Sequence, residues 1–266
     1  MRDVVRRFAL YSDIHGNSAA LDAVYADMAA AGVTERYCLG DLVGYGPDPA
    51  GVIERVRASG DLVIRGNYDD GVGRHKGDCG CYYATPEARA DGEASYAFTD
   101  SALSPEEHSY LGHLADELRF EADGVRVVLV HGSPRKINEY LLPDRTNEFL
   151  GKLAERADAD LVCVGHVHVP YRRVVTTPGG RIAYVVSDGS VGKPKDGDPR
   201  ACWTEIAIGT AEEIDAFAKD DPVAENAGGA LLGVSFHRVS YDVPAVAAAM
   251  RDAGLPDRLA DALLAG

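Results

Sequence analysis

Five short apolar runs in this chain each break off at an Asp, Asn or His with a glycine close by. They lead into Ser12-Asp13-Ile14-His15-Gly16, Gly40-Asp41, Arg65-Gly66-Asn67, Val130-His131-Gly132 and Gly165-His166-Val167-His168. Between the first three, the helical signals are as regular as the strand signals. Leu21, Val24, Tyr25 and Met28 recur at i, i+3, i+4 and i+7, with Gly32 as a stop. Asp48-Pro49 is an N-cap and first-turn pair for a helix over 49–59 that ends at Gly60. Strands over 7–11, 36–39 and 62–65 alternating with these helices predict right-handed βαβ units and a parallel sheet. In such a sheet the carboxyl ends of the strands line one edge, where ligands bind. Polar residues placed just past those ends can therefore converge from distant parts of the chain.

The second half predicts strands over 125–130, 161–164, 182–186, 202–208 and 234–241, and a helix over 147–157. Ser104-Pro105-Glu106-Glu107 is a capping box that opens a helix to about Glu117. Asp242-Val243-Pro244 caps a late helix, and Pro256 starts a short last one. Residues 71–102 differ: four glycines precede residue 81, and helical pattern resumes only near Thr85. This segment is expected to be a cap or lid insertion. Residues 209–233, with Gly228-Gly229, read as a surface excursion. The expected whole is one α/β domain over residues 1–266, a β-sandwich flanked by helices with a small insertion at about 71–102.

Composition narrows the function. With 27 Lys and Arg against 42 Asp and Glu, the formal charge is −15. Such a surface repels phosphate backbones and anionic lipids, so no duplex nucleic acid and no membrane partner is expected. A small anionic substrate stays compatible if local cations collect it. No apolar run approaches the ~20 residues that span a bilayer. The first residues lack a signal-peptide layout, which predicts a cytoplasmic protein. Five cysteines at irregular spacing, Cys38, Cys79, Cys81, Cys163 and Cys202, read as free thiols in a reducing compartment. Whether the chain forms a homo-oligomer is left open.

The candidate ligands are Asp13, His15, Asp41, Asn67, His131, His166 and His168. Two carboxylates, one amide and four imidazoles are enough for two divalent ions with a carboxylate between them. Imidazole and oxygen donors without thiolate suit Mn, Fe, Zn or Ni better than Ca or a structural zinc. A pair of such ions is the clamp used for phosphoester hydrolysis.

At this point the motifs resemble a known family. Ser12-Asp13-Ile14-His15-Gly16-Asn17, Gly40-Asp41-Leu42-Val43-Gly44-Tyr45-Gly46-Pro47-Asp48-Pro49, Arg65-Gly66-Asn67, Val130-His131-Gly132-Ser133 and Gly165-His166-Val167-His168 are similar, in order, to blocks of the calcineurin-like metallophosphoesterase superfamily. They look most like its small bacterial and archaeal phosphodiesterase branch. The resemblance implies a sandwich in α-β-β-α layers. It also implies a first metal on Asp13, His15, Asp41 and His168, and a second on Asp41, Asn67, His131 and His166. The implied activity is hydrolysis of small phosphodiesters by a hydroxide bridging the metals, with Asn67 and His131 stabilising the phosphoryl oxygens. The same likeness covers dinucleoside polyphosphate hydrolases, protein phosphatases and non-catalytic scaffold proteins of the same fold.

Two departures stand out. Gly66-Asn67-Tyr68-Asp69 carries Tyr68 where the family usually has a proton-donating His, and Ser187-Asp188 stands where Asn-Pro is usual. Tyr68 can be a catalytic hydroxyl or an aromatic packed beneath the metal loop, and His75, in the expected lid, is an alternative proton donor. Arg74, Lys193 and Arg200 are candidate contacts for substrate phosphate. Cys79-Gly80-Cys81 reads as a turn with two thiols, and His108 and His113 as ordinary surface residues.

Overall fold

Two five-stranded sheets pack face to face, and helices cover both outer faces, in a computed structural model that describes residues 6–209, 214 and 231–266. The first sheet has the order β10-β9-β1-β2-β3. In it β1 (Arg6–Tyr11), β2 (Arg36–Cys38) and β3 (Leu62–Val63) run parallel, while β9 (Ala201–Gly209) and β10 (Leu231–Val239) are antiparallel. The second sheet has the order β4-β5-β6-β8-β7. Its core strands β5 (Val125–Val130), β6 (Leu161–Val164) and β8 (Ile182–Ser187) are parallel, and the edges β4 (Glu117–Ala122) and β7 (Tyr171–Thr176) are antiparallel.

The apolar runs are continuous because both faces of each strand are covered. Phe8 and Leu10 enter the core between the sheets, with Val127, Leu129, Leu161 and Cys163 opposite. The alternate residues Ala9 and Tyr11 face α1 (Ser18–Ala30) and α2 (Pro49–Ser59). On the far side Val128, Val130, Val162 and Val164 pack on α6 (Asn147–Arg156). Local chemistry sets the helix ends. Asn17 Oδ1 accepts from Ala20 N at 3.1 Å, Asp48 Oδ1 from Gly51 N at 3.0 Å, and Gly60 closes α2 with φ 72°.

The sequence expectations need five corrections. β3 stops at Val63: Ile64 N still donates to Cys38 O at 2.9 Å, but Ile64 also bridges Ala115, and Arg65 N donates to Ala115 O at 2.7 Å. Residues 67–73 form a short helix, α3 (Asn67–Gly73), hidden by its two glycines. The capped helix α5 (Pro105–His113) ends four residues early, and Glu117-Leu118-Arg119-Phe120 then alternates as edge strand β4. β7 was also not anticipated. His108 is not a surface residue: it is buried, with Nδ1 3.1 Å from Val72 O and Nε2 3.1 Å from Asp100 O. The excursion expected over 209–233 falls mainly on residues outside those described. The 71–102 segment contains α4 (Pro86–Ala102), where the helical pattern resumes, and the structure shows Thr85 as its cap. The chain ends in α7 (Val243–Asp252) and α8 (Asp257–Ala265), which pack on each other and on Tyr45. No helix among the described residues is long and apolar enough to cross a membrane.

Candidate metal centre

Five of the seven candidate ligands sit in left-handed backbone: Asp13 (φ 52°), His15 (50°), Asp41 (55°), His166 (67°) and His168 (59°). The Asp13/His15 and His166/His168 pairs are thus carried by sharp left-handed turns and not by extended chain. Each such residue is strained by about 1–3 kcal/mol, which the surrounding hydrogen bonds must hold in place. Asp13 N donates to Gly40 O at 2.9 Å, His15 N to Asp41 O at 3.0 Å, and His166 N to Asp13 Oδ2 at 2.9 Å. The loops after β1, β2 and β6 are thereby laced together. Glycine is required where the segment after β3 meets the loop after β2, since a Cβ on Gly66 would lie 2.1 Å from Asp41 N.

The side chains gather in two buried groups. In the first, Asp13 Oδ1 is 3.1 Å from His168 Nε2 and 3.7 Å from His15 Nε2, and the two Nε2 atoms are 3.2 Å apart. In the second, Asp41, His131 and His166 converge, with Asp41 Oδ2 3.4 Å from His131 Nε2. Asn67 Oδ1 joins this group at 3.0 Å from His131 Nε2. Asp41 Oδ2 also lies 3.8 Å from His15 Nε2, so one carboxylate oxygen faces both groups.

This arrangement fits cations. His15, His131 and His168 each set Nδ1 on a backbone carbonyl, of Val43 (2.9 Å), Leu39 (2.8 Å) and Lys193 (2.5 Å). With Nδ1 donating, the Nε2 lone pair of a neutral ring points at the centre. Two lone pairs and a carboxylate oxygen within 3.7 Å of one another repel unless a positive charge lies between them. Asp13 Oδ1 and His166 Nε2 are moreover buried without a hydrogen-bond partner. A third cluster, His75, Asp100 and His108, does not fit, because both His108 nitrogens are already set on carbonyls.

The two groups differ in charge. Burial pushes His15 and His168 down, so both rings are neutral. Burial also acts on His131, but Asp41 and then Asp13 outweigh it and carry that ring up to about 10. Its neighbour His166 is pushed down to about 2 by burial and by the His131 charge.

Two further carboxyls support the ligands. Asp69 accepts from the backbone N–H groups of Asp41 (2.8 Å), Leu42 (2.9 Å) and Gly66 (2.9 Å), and burial with the Asp41 charge raises it to about 7. Asp188, at the second sequence departure, is raised well above its ordinary value by burial and then by Asp13. Ser12 Oγ lies within hydrogen-bond distance of both carboxyls, 2.8 Å from Asp188 Oδ1 and against Asp13 Oδ2, and so links Asp188 to the ligand Asp13.

A cavity of about 270 Å³ opens over His15, Asp41, His166 and His168. Lys193 is the one sequence-predicted phosphate contact that reaches it; its Nζ sits 4.6 Å from the Tyr45 ring centre, and burial with Lys195 lowers it to about 7. The others stay away. Arg74 pairs with Asp70 at 3.3 Å, and Arg200 pairs with Asp198 at 2.6 Å. The His75 ring, two-thirds exposed, stacks on His108 at 4.5 Å, outside the cavity wall. Tyr68 does line the cavity, as a fully buried ring edge-on to His15 at 5.5 Å. Burial raises its hydroxyl well above the ordinary value, so it is a wall and not a ready acid. Sequence reasoning missed Tyr45, Tyr83, Tyr140, Cys81, Lys195 and Arg258. Tyr45 at least stands inside one of the quoted motifs. Arg258 carries no local signal; it reaches the rim from α8 and pairs with Asp91 of α4 at 2.7 Å.

A family model for the calcineurin-like phosphoesterase superfamily domain matches residues 7–210, which include all seven candidate ligands. The chain belongs to this superfamily. As a calcineurin-like phosphoesterase it is 31% identical over 211 residues to protein MJ0912 of Methanocaldococcus jannaschii, covering 73% of this chain and 80% of that one. A metallophosphoesterase from Sphaerobacter thermophilus superposes with a TM-score of 0.70 at 28% identity, over 99% of this chain and 100% of the other. Protein PH1004 of Pyrococcus horikoshii shares the fold, with a TM-score of 0.74 at 23% identity over 97% of each chain.

Proposed function

We propose that this chain is a metal-dependent phosphodiesterase acting on small phosphoesters, with two divalent transition-metal ions at the candidate centre. One observation carries the reading: two groups of buried ligand atoms converge on either side of Asp41, with Asp13 Oδ1 and His166 Nε2 otherwise unpartnered. Asp13, His15, Asp41 and His168 would hold one ion, and Asp41, Asn67, His131 and His166 the other. Bound there, the ions supply Lewis acidity toward phosphoryl oxygens and a nucleophile at neutral pH.

The surrounding residues select the substrate. Lys193 and Lys195 bring positive charge to the cavity of a chain whose formal charge is −15, so a small phosphate is attracted where a duplex backbone is repelled. Tyr45, Tyr82, Tyr83 and Tyr140 offer flat apolar faces for a planar leaving group. Tyr68 cannot readily protonate that group, so leaving groups that depart unprotonated are favoured. Aryl esters should therefore react much faster than alkyl esters.

Turnover of bis-p-nitrophenyl phosphate tests the reading. Activity should be lost with a chelator, return with Mn, Fe, Zn or Ni, and be absent toward double-stranded DNA. Failure of every metal to support aryl-diester hydrolysis would overturn it.

A further inference from the structure

Cys79 and Cys81 stand side by side in the loop between α3 and α4, on the wall of the candidate centre. The turn that joins them is firmly held. Gly80 takes φ 67°, its N donates to Asp78 Oδ1 at 2.8 Å, and its carbonyl accepts from Asn138 Nδ2 at 2.6 Å. Beneath, Gly71 lets the loop lie on α3, since a Cβ there would meet Asp78 O at 2.4 Å.

Both cysteines also hold one side chain of the centre. Asn67 Nδ2 donates to Cys79 O at 2.9 Å and to Cys81 Sγ at 3.2 Å. These two bonds fix the amide so that Oδ1 faces His131 Nε2 at 3.0 Å. Cys81 lines the main cavity, and both cysteines line a second cavity of about 170 Å³ together with Arg89 and Glu93. A small reagent can thus approach the pair from either side. Cys38, Cys163 and Cys202 lie buried in or beside strands and share neither cavity.

We propose that Cys79 and Cys81 form a redox-modification site that controls the Asn67 half of the centre. A turn keeps residues i and i+2 within the about 4.4–6.8 Å Cα span that a disulfide bridges. With hydrogen peroxide, one thiol attacks the O–O bond to give a sulfenic acid and water. The second thiol then displaces the hydroxyl as water, leaving one S–S bond. The two sulfurs together lose two electrons, and the peroxide gains them. With a low-molecular-weight disulfide, two exchange steps give the same bond and release two thiols. So small a ring is strained, which makes the bond easy to reduce again. Its formation draws Cys81 Sγ onto Cys79 and off Asn67 Nδ2, so the amide is no longer aimed. The effect on metal rests on the dinuclear reading above; formation of the disulfide does not.

The test treats metal-free and metal-loaded full-length protein with oxidised glutathione or hydrogen peroxide. Thiol titration should fall by two of the five cysteines. Peptide mass mapping should show a Cys79–Cys81 bridge that a reducing agent removes. In loaded protein one of two ions should be lost, and turnover should drop at least ~10-fold, the scale expected when a ligand loses its supporting hydrogen bond. Cys79→Ser, which keeps the carbonyl that holds Asn67, should resist every one of these changes. Absence of a Cys79–Cys81 bridge overturns the site; a bridge that leaves metal content and turnover unchanged overturns its control of Asn67. A protein that binds no metal at all refutes the dinuclear reading, while mass mapping still decides the bridge.

Discussion

The half of the centre built from Asp13, His15 and His168 uses two loops, after β1 and β6, whereas Asp41, Asn67, His131 and His166 come from four separate strand ends. The two halves resemble each other in burial and in ring orientation. They differ in proton content. His15 and His168 are neutral, but His131, between Asp41 and Asp13, titrates near 10 and carries a proton at neutral pH in the metal-free protein. One half therefore presents lone pairs that await a cation, and the other balances its carboxylates with a protonated ring. Ligand identity alone does not show this asymmetry; it follows from where the carboxylates lie.

The most severe way to break the comparison is to remove the group common to both halves. Asp41→Ala should empty both positions and lower aryl-diester turnover by roughly 10³-fold or more, read by elemental analysis and rate together. Next in size is Asp69→Ala, which leaves three buried N–H groups without their acceptor. At about 1–3 kcal/mol per orphaned donor, the loss should exceed roughly 3 kcal/mol. For a chain of this size that is a melting shift of about 6–12 °C. A shift below about 2 °C would show that Asp69 does not hold the Asp41 and Gly66 loops.

Single-ligand variants sharpen the contrast. His168→Ala should weaken one ion and His131→Ala the other, each by at least ~10–100-fold in affinity. Calorimetry in buffers of different ionisation enthalpy should then separate the halves by protons. Filling the His131 half at pH 8 should release about one proton, and filling the His15/His168 half should release none. Affinity in the His131 half should accordingly rise with pH until about 10, where that ring no longer holds a proton to displace. Equal proton release from both halves would contradict the asymmetry.

Much of this site is legible in the amino-acid sequence for a physical reason. The ligands follow strands whose apolar runs are conspicuous, and the caps Asp48, Ser104 and Asp242 mark helix starts that the structure reproduces. Edge strands β4 and β7 are half-solvated and carry Arg and Glu, so their period-2 pattern is weak. α3 is obscured because Gly71 and Gly73 are needed for close packing, which only the tertiary structure reveals. The cavity wall is the least legible part. Arg258 reaches it because α8 folds back over α4, and Arg74 and His75 miss it because α3 and α5 turn them outward, onto Asp70 and His108. Tyr68 illustrates the limit of motif reading: the substituted position is at the centre, but burial removes its acid chemistry.

The smallest expected effect concerns substrate charge. Lys193, lowered to about 7, is cationic below that pH and neutral above it. KM for an anionic diester should therefore rise as pH passes through 7, and Lys193→Gln should raise KM several-fold, on the order of one kcal/mol, at pH 6 but little at pH 8.5. Lys193→Arg, which stays charged, should flatten the profile at the low-KM end. A KM that ignores both pH and these substitutions would remove Lys193 from substrate binding.

The central claim is that Asp41 lies between two metal positions. Anomalous diffraction from crystals of the Mn-loaded protein tests it most directly. Two peaks per chain are expected, one beside Asp13, His15 and His168 and one beside Asn67, His131 and His166, with the Asp41 carboxylate reaching both. A single peak, or two that do not share Asp41, would contradict it.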